Sequence, residues 1–348
     1  MSVPGRWLAP RDVWCTVSSL GTRVPAGALW VVDARVAALH PSVTRAAAAA
    51  RAHAVVTVRA GERLKSLAQL EALALHGQGL SRQGAVVAVG GGTVGDTATV
   101  LAHLLKRGVT LVQVPSTLLA AVDSSLGGKG AVNLAGVKNA LGVFHSAAES
   151  FLCAELFATL SAAQRREGAA EAYKMAVCLD GALWKRWRAA PPDETQLIRE
   201  ARRLKTRVCA RDPYETLGLR AVLNFGHTFG HVVESLTRYR VRHGEAVGLG
   251  MHAALDVGRA LRVTPDKVAS EVEAVLRPIA PRARARLAAA LAGASEGEVA
   301  ELLAADKKAT AKGLSMVLLE KPGSTQTRAV DPAVWKETLR AWKAGRRP

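Results

Sequence analysis

The 348-residue sequence predicts an α/β domain with a mainly parallel sheet, followed by an all-helical domain. Three observations carry that prediction. Residues 1–160 alternate short β-branched apolar runs with helical stretches, the pattern of a sheet covered on both faces. The runs end on acidic, glycine or hydroxyl residues, where sheets of this kind bind ligands. From residue 161 the apolar residues switch to helical spacing, in segments rich in alanine, leucine and arginine. The boundary therefore falls between domains 1–160 and 161–348.

In chain order, Leu29 to Val32 forms the first clear run and ends at Asp33. Val55 to Val58 follows, leading to Gly61-Glu62 and a helical stretch from Lys65 to Gly77. Ala85 to Val89 runs into Gly90-Gly91-Gly92, with a helix from about Asp96. Val109 to Val114 ends at Pro115, just before Ser116-Thr117. The alanine-rich patch near Ala46 is a good helix former. Further on, helices are expected over 162–177, 194–210, 227–236, 244–261 and 265–275. A late strand-like run, Leu314 to Leu319, follows Lys307-Lys308, and no internal repeat is present.

Composition narrows the function classes. Hydrophobic residues make up 49% and charged residues 22%, a globular balance. No apolar run approaches the ~20 residues of a membrane span, and the N-terminus lacks the apolar stretch of a secretory signal. The four cysteines, Cys15, Cys153, Cys178 and Cys209, form no CxxC pair, which argues against a disulfide framework and a thiolate zinc site. A cytoplasmic protein is expected. The net charge of +18 raises nucleic-acid binding, but the basic residues are spread out and aromatics are only 4%. We therefore expect no nucleic-acid or membrane partner, and a positive field suited to anionic small molecules.

Four constellations carry chemistry. Gly90 to Asp96, GGGTVGD, is a strand, a glycine turn and a helix start, able to bring backbone N–H groups to a pyrophosphate. It is not GxGxxG, and a tight structural turn explains it equally well. His227 and His231 stand at i and i+4 on one helical face, a spacing that can chelate a divalent cation, with His243 twelve residues beyond. Thr228 occupies the general-base position of HExxH, so a metalloprotease is excluded. Imidazole plus a carboxylate would suit a catalytic zinc ion. Glu171 and Lys174 share a helical face, where a surface salt bridge is the simpler reading. Asp123 to Lys129 and Lys138-Asn139 form a polar, glycine-rich loop region that is either an anion site or a connector.

Taken in order, GERLKSL, GGGTVGD, KRGVTLVQVPSTLLAAVDSSLGGKGAVN, VKNALGVFH, EGAAEAYK, LRAVLNFGHTFGH, HGEAVGLGM and DKK resemble the dehydroquinate synthase family across nearly the whole chain. The resemblance implies a Rossmann-like, NAD-binding α/β domain followed by a helical metal-binding domain, in a homodimer. It implies zinc or cobalt on Glu171, His227 and His243. It implies NAD on Asp33, Glu62, Lys65, Gly90, Gly91, Gly92, Asp96, Ser116, Thr117, Lys138 and Thr159. Substrate would meet Asp123, Lys129, Asn139, Lys174, Lys205, Arg220, Asn224 and His231. Phosphate would meet Arg107, reaching across a dimer interface, and Lys307 or Lys308. Family members transiently oxidise a seven-carbon sugar phosphate with bound NAD, eliminate phosphate, restore the alcohol and close a carbocycle by an aldol step.

Several positions depart from the family pattern. Gly130 replaces threonine, Ala121 replaces glutamine, Ser146-Ala147 replaces Gln-Pro, and Ala221 stands where asparagine is common. The stretch Asp212 to Leu217 is one residue longer than usual, which leaves the role of Glu215 open. The rival readings are another sugar phosphate cyclase of secondary metabolism, a metal-dependent alcohol dehydrogenase of similar fold, and a non-catalytic binding protein. The retained metal-ligand set argues against the last, and GGGTVGD with PSTLLAAVDSS argues against the dehydrogenase.

Overall fold

The computed structural model describes residues 9–305, 309–310, 313–344 and 346. Two compact units emerge: Met1–Gly168 with Lys205–Tyr214, and Ala169–Leu204 with Glu215–Pro348. Helices Ala162–Leu179 and Glu194–Arg211 contribute residues to both.

The first unit holds a six-stranded sheet made of β1 (Arg11–Trp14), β2 (Leu29–Asp33), β3 (Ala54–Val58), β4 (Ala85–Gly90), β5 (Thr110–Pro115) and β8 (Glu149–Leu152). Its order is β1-β8-β5-β4-β2-β3, and every pairing is parallel. The strand period of two sends Trp30, Val32, Val87 and Val89 into one core and Leu29, Val31, Val86 and Ala88 into the other. A central strand buried on both faces must be apolar at every position, as Ala85 to Gly90 is. The crossover from β4 to β5 is the helix Gly92–Leu104. It begins four residues before Asp96, because the glycine turn itself supplies the helix's first residues.

Of the polar loop region expected at Asp123 to Lys129 and Lys138-Asn139, Ser125 to Gly128 is a turn, but from Lys129 onward the chain forms a hairpin. Strands β6 (Lys129–Leu134) and β7 (Val137–Phe144) pair antiparallel, from Lys129 opposite Phe144 to Leu134 opposite Val137. Ala135 and Gly136 close it with φ of 48° and 82°, the two left-handed residues of a type I′ turn.

The second unit is mainly helical, with helices at His227–Leu236, His243–Ala260, Asp266–Leu276, Ala283–Leu291 and Glu296–Ala305 among its described residues. The strand-like run Leu314 to Leu319 lies in β10 (Gly313–Lys321), between β9 (Ala309–Thr310) and β11 (Ser324–Val330) in an antiparallel sheet. Helices His227–Leu236 and His243–Ala260 cross at glycines. A Cβ on Gly250 would overlap the Gly226 carbonyl, and one on Gly230 would press on Ala246 and Val247. The glycines of GHTFGH and HGEAVGLGM thus let two backbones touch, which brings His227 and His243 together. No helix among the described residues is long and apolar enough to cross a membrane.

Candidate functional site

In the first unit, the expected cofactor residues gather at the carboxyl edge of the sheet. Gly90, Gly91 and Gly92 make the turn from β4 into its helix, and Ser116 N–H donates to the Gly90 carbonyl at 2.9 Å. A Cβ on Gly90 would lie 2.7 Å from Val94, so no larger residue fits there. Asp33 ends β2 and caps the next helix, accepting from Arg35 N–H at 2.9 Å. Asp33, Ser116, Thr117 and Thr159 line one cleft with His40, whose Nε2 stands 3.1 Å from Thr159 Oγ1. His40 was not expected there.

Beside the glycine turn lies a closed polar network. Lys65 Nζ donates to Asp96 Oδ2 and to Asn139 Oδ1, each at 2.6 Å. Asn133 links the rest: its amide donates to Glu62 Oε2 at 3.0 Å and its carbonyl oxygen accepts from Asn139 N–H at 2.9 Å. Lys138 Nζ is 3.4 Å from Glu62 Oε1. Burial holds the Asp96 carboxyl above its usual value despite the Lys65 charge. Burial also pushes Glu62 up, but the Asn133 hydrogen bond and the charges of Lys138 and Lys65 take it below its usual value. Five expected residues (Glu62, Lys65, Asp96, Lys138 and Asn139) thus meet in one network. Asn133, its connecting residue, gave no signal in the sequence beyond its place in the hairpin.

Lys205 is buried and donates to the Asp123 backbone carbonyl and to Oδ1, at 2.7 and 2.6 Å. Lys129 opens β6 with an exposed side chain. Arg107 is exposed at φ 69°, in the turn after the thirteen-residue helix Gly92–Leu104. That places it at the opposite edge of the sheet from the glycine turn.

In the second unit, Glu171, His227 and His243 bring one ligand atom each within 4.8 Å of one another. Glu171 is fully buried, and its Oε1 has no hydrogen-bond partner while facing His227 Nε2 and His243 Nε2 at 3.6 Å each. Leaving such an oxygen unsatisfied costs ~1–3 kcal/mol or more for a charged group. Two donors at zinc-bonding distance from one ion stand about 3.4 Å apart in a tetrahedron, so the set fits a divalent metal.

The opposite ring nitrogens are anchored. His227 Nδ1 meets the Phe225 carbonyl at 3.4 Å, and a carbonyl can only accept, so Nδ1 is the donor there and Nε2 is the nitrogen turned to Glu171. His243 Nδ1 meets Glu234 Oε1 at the same distance. Glu234 was not expected, although it lies three residues after His231 on the same helix face.

His231, the i+4 partner that spacing alone favoured, is not in the triad. Its ring meets His227 edge-on at 5.5 Å between centroids. Lys174 donates to Glu171 Oε2, and both residues are buried, so this is not the surface salt bridge that helical spacing suggested. Arg220 is buried at the end of the longer acidic turn, with Nε 3.3 Å from Glu215 Oε1. Asn224 ends the same short helix, Leu219–Asn224, half-buried. Lys307 and Lys308 lie outside the described residues.

One departure has a packing cause. A Cβ on Gly130 would lie 2.5 Å from Thr99 Cβ and 2.8 Å from the Asp96 carbonyl, so Thr99 fills the space a residue-130 side chain would take. Nothing in the structure explains Ala221.

Comparison with known proteins completes the picture. Residues 55–167 match the family model of the 3-dehydroquinate synthase N-terminal region, and residues 168–309 match that of the C-terminal region. A 3-dehydroquinate synthase of Methylacidiphilum infernorum is 37% identical over 272 residues, 77% of this chain and 74% of that protein. A 2-epi-valiolone synthase of Actinosynnema mirum is 41% identical over 263 residues, 72% of this chain and 69% of that protein. A solved 2-epi-5-epi-valiolone synthase from Streptomyces hygroscopicus, with NAD+ and Zn2+ bound, shares the fold at a TM-score of 0.84 and 21% identity, covering 99% of both chains.

Proposed function

Given that the chain belongs to the 3-dehydroquinate synthase family, we propose that it is a phosphate-eliminating lyase converting 3-deoxy-arabino-heptulosonate 7-phosphate to 3-dehydroquinate and phosphate. The observation that carries the reading is the orphaned Glu171 Oε1 between two imidazole nitrogens, in a chain that keeps Lys174, Lys205, Arg220, Asn224 and His231. Glu171, His227 and His243 would hold zinc or cobalt. The NAD-binding residues would be Asp33, Glu62, Lys65, the Gly90 to Gly92 turn, Asp96, Ser116, Thr117, Lys138 and Thr159. When bound, the metal would supply Lewis acidity to the hydroxyl being oxidised, and NAD a hydride acceptor that is regenerated before release.

The remaining work falls to positioning. Arg220, steadied by Glu215, offers a planar guanidinium to a carboxylate or phosphate. Lys205 is a compact cation held by Asp123, and Lys174 fixes which carboxylate oxygen of Glu171 remains for the metal. Asp123, Lys129, Asn139, Asn224 and His231 complete the substrate-binding residues. Arg107 would reach phosphate from the second subunit of a homodimer.

The test is phosphate release from that sugar phosphate with catalytic NAD and zinc or cobalt, without net NADH. The 2-epi-valiolone synthase relative favours a second reading, in which a different sugar phosphate is cyclised. Release from a non-carboxylated sugar phosphate alone would select it. Stoichiometric NADH without phosphate would instead indicate a dehydrogenase.

A further inference from the structure

We propose that Cys15 and Cys153 are a redox modification site, joined as a reversible disulfide by a hydroperoxide oxidant such as hydrogen peroxide. The two cysteines are 138 residues apart, yet the fold sets them side by side. β1 and β8 pair parallel with Trp14 opposite Leu152, so the next residue of each strand is a cysteine. The pairing continues one step further, through Cys15 N–H to the Leu152 carbonyl at 3.2 Å. The sulfurs are 3.6 Å apart, and a disulfide bond of about 2.05 Å is reached by small side-chain rotations when the backbones are already strand neighbours.

The two thiols differ in the way the chemistry requires. Cys15 is half-buried and reachable, whereas Cys153 is fully buried. The Cys15 thiol is held down to about 7, first by its contact with Cys153 and then by Ser19 and Arg23, which together outweigh burial. The same contact, with burial, pushes Cys153 far up. Being the reachable sulfur of the pair, Cys15 is the attacking thiolate, and the buried Cys153 is the resolving partner. Cys178 has no such character, because burial pushes it up to about 12.

In the first step the Cys15 thiolate attacks one peroxide oxygen and the O–O bond breaks. The leaving hydroxide takes the Cys153 proton and departs as water, leaving Cys15 as a sulfenic acid. In the second step the Cys153 thiolate attacks the Cys15 sulfur, the S–O bond breaks and hydroxide leaves. Two electrons pass from the sulfurs to the peroxide, and a dithiol reductant reverses the change. The bond would fasten edge strand β1 to β8. The inference does not depend on the proposed reaction.

The experiment treats the full-length protein with one equivalent of hydrogen peroxide, then counts thiols after denaturation and maps peptides by mass spectrometry. The thiol count should fall by two from four, with one intramolecular link between the Cys15 and Cys153 peptides that dithiothreitol removes. Iodoacetamide labelling of Cys15 should rise with pH through a midpoint near 7. Cys153→Ala should leave Cys15 as a sulfenic acid trapped by dimedone, and Cys15→Ser should keep its remaining thiols. Four thiols surviving, over-oxidation of Cys15 without the link, or a link between molecules would each overturn the proposal.

Discussion

The two polar clusters of this protein are built on opposite principles. In the first unit, Lys65 answers Asp96 and Asn139, Lys138 and Asn133 answer Glu62, and Lys205 answers Asp123. In the second, Glu171 is paired at one oxygen only, and the other faces two imidazole nitrogens. A self-satisfied network is a preorganised frame, suited to holding an organic cofactor by shape and fixed dipoles. A carboxylate aimed at two imidazoles is a donor set that a cation completes. The difference teaches that, on the proposed function, the organic cofactor would be held by a preformed scaffold and the metal by the ligand atoms themselves.

Removing a ligand atom tests that contrast most severely. His227→Ala should lose bound metal and phosphate release together, by on the order of 10³-fold in rate, since Lewis-acid stabilisation is worth several kcal/mol. Metal analysis beside the assay checks it, and a variant with full metal content would break the ligand assignment. Glu234→Ala should have a smaller effect of the same kind. Releasing His243 Nδ1 from its carboxylate should weaken zinc affinity by about 10- to 100-fold, read by competition with a chelating dye. Unchanged affinity would show that the 3.4 Å contact does not orient the ring.

The first unit should respond in stability rather than in metal content. Gly130→Thr drives a side chain into Thr99 and should cost about 1–3 kcal/mol in denaturant unfolding. Thr99→Ala in the same chain should recover part of that loss, and zinc affinity should stay as it was. Equal stability of Gly130→Thr and the parent would mean that the hairpin is not held against the helix as tightly as the distances imply.

These contrasts also explain what could be read from the sequence. The parallel sheet was readable because strands buried on both faces are continuous apolar runs, as Ala85 to Gly90 is, and the long helices because burial of one face imposes a period of 3.6, as in His227 to Leu236. The β6–β7 hairpin was not, because a Lys-Gly start and polar Asn133, Lys138 and Asn139 blur the alternation that marks a strand. Helical spacing pointed to His231 as a chelating partner, whereas His243 takes that place through a glycine-lined crossing that spacing within one helix cannot show. Asn133 and Glu234 are ordinary surface residues until the fold supplies their partners. The Cys15–Cys153 contact is a matter of strand order, which local sequence does not encode.

The smallest effect concerns pH and separates two carboxyls within the closed network itself. Asp96 has a raised value when folded, so the native state holds its proton more tightly than the unfolded chain does. Its contribution to stability therefore falls as pH rises from the unfolded value near 4 through the folded one. Glu62 is lowered, so its contribution is present above its unfolded value and is lost as pH falls through the folded one. The two slopes oppose each other on the acid side of neutrality, and the network as a whole is buffered. Asp96→Asn removes one of them. Between pH 6 and pH 4 the variant should lose stability more steeply than the parent. Denaturant midpoints across that range measure the difference, and subtracting parent from variant cancels the other carboxyls. An equal or shallower slope in the variant would mean that the Lys65 charge, rather than burial, governs Asp96, and the network would then be a simple ion pair.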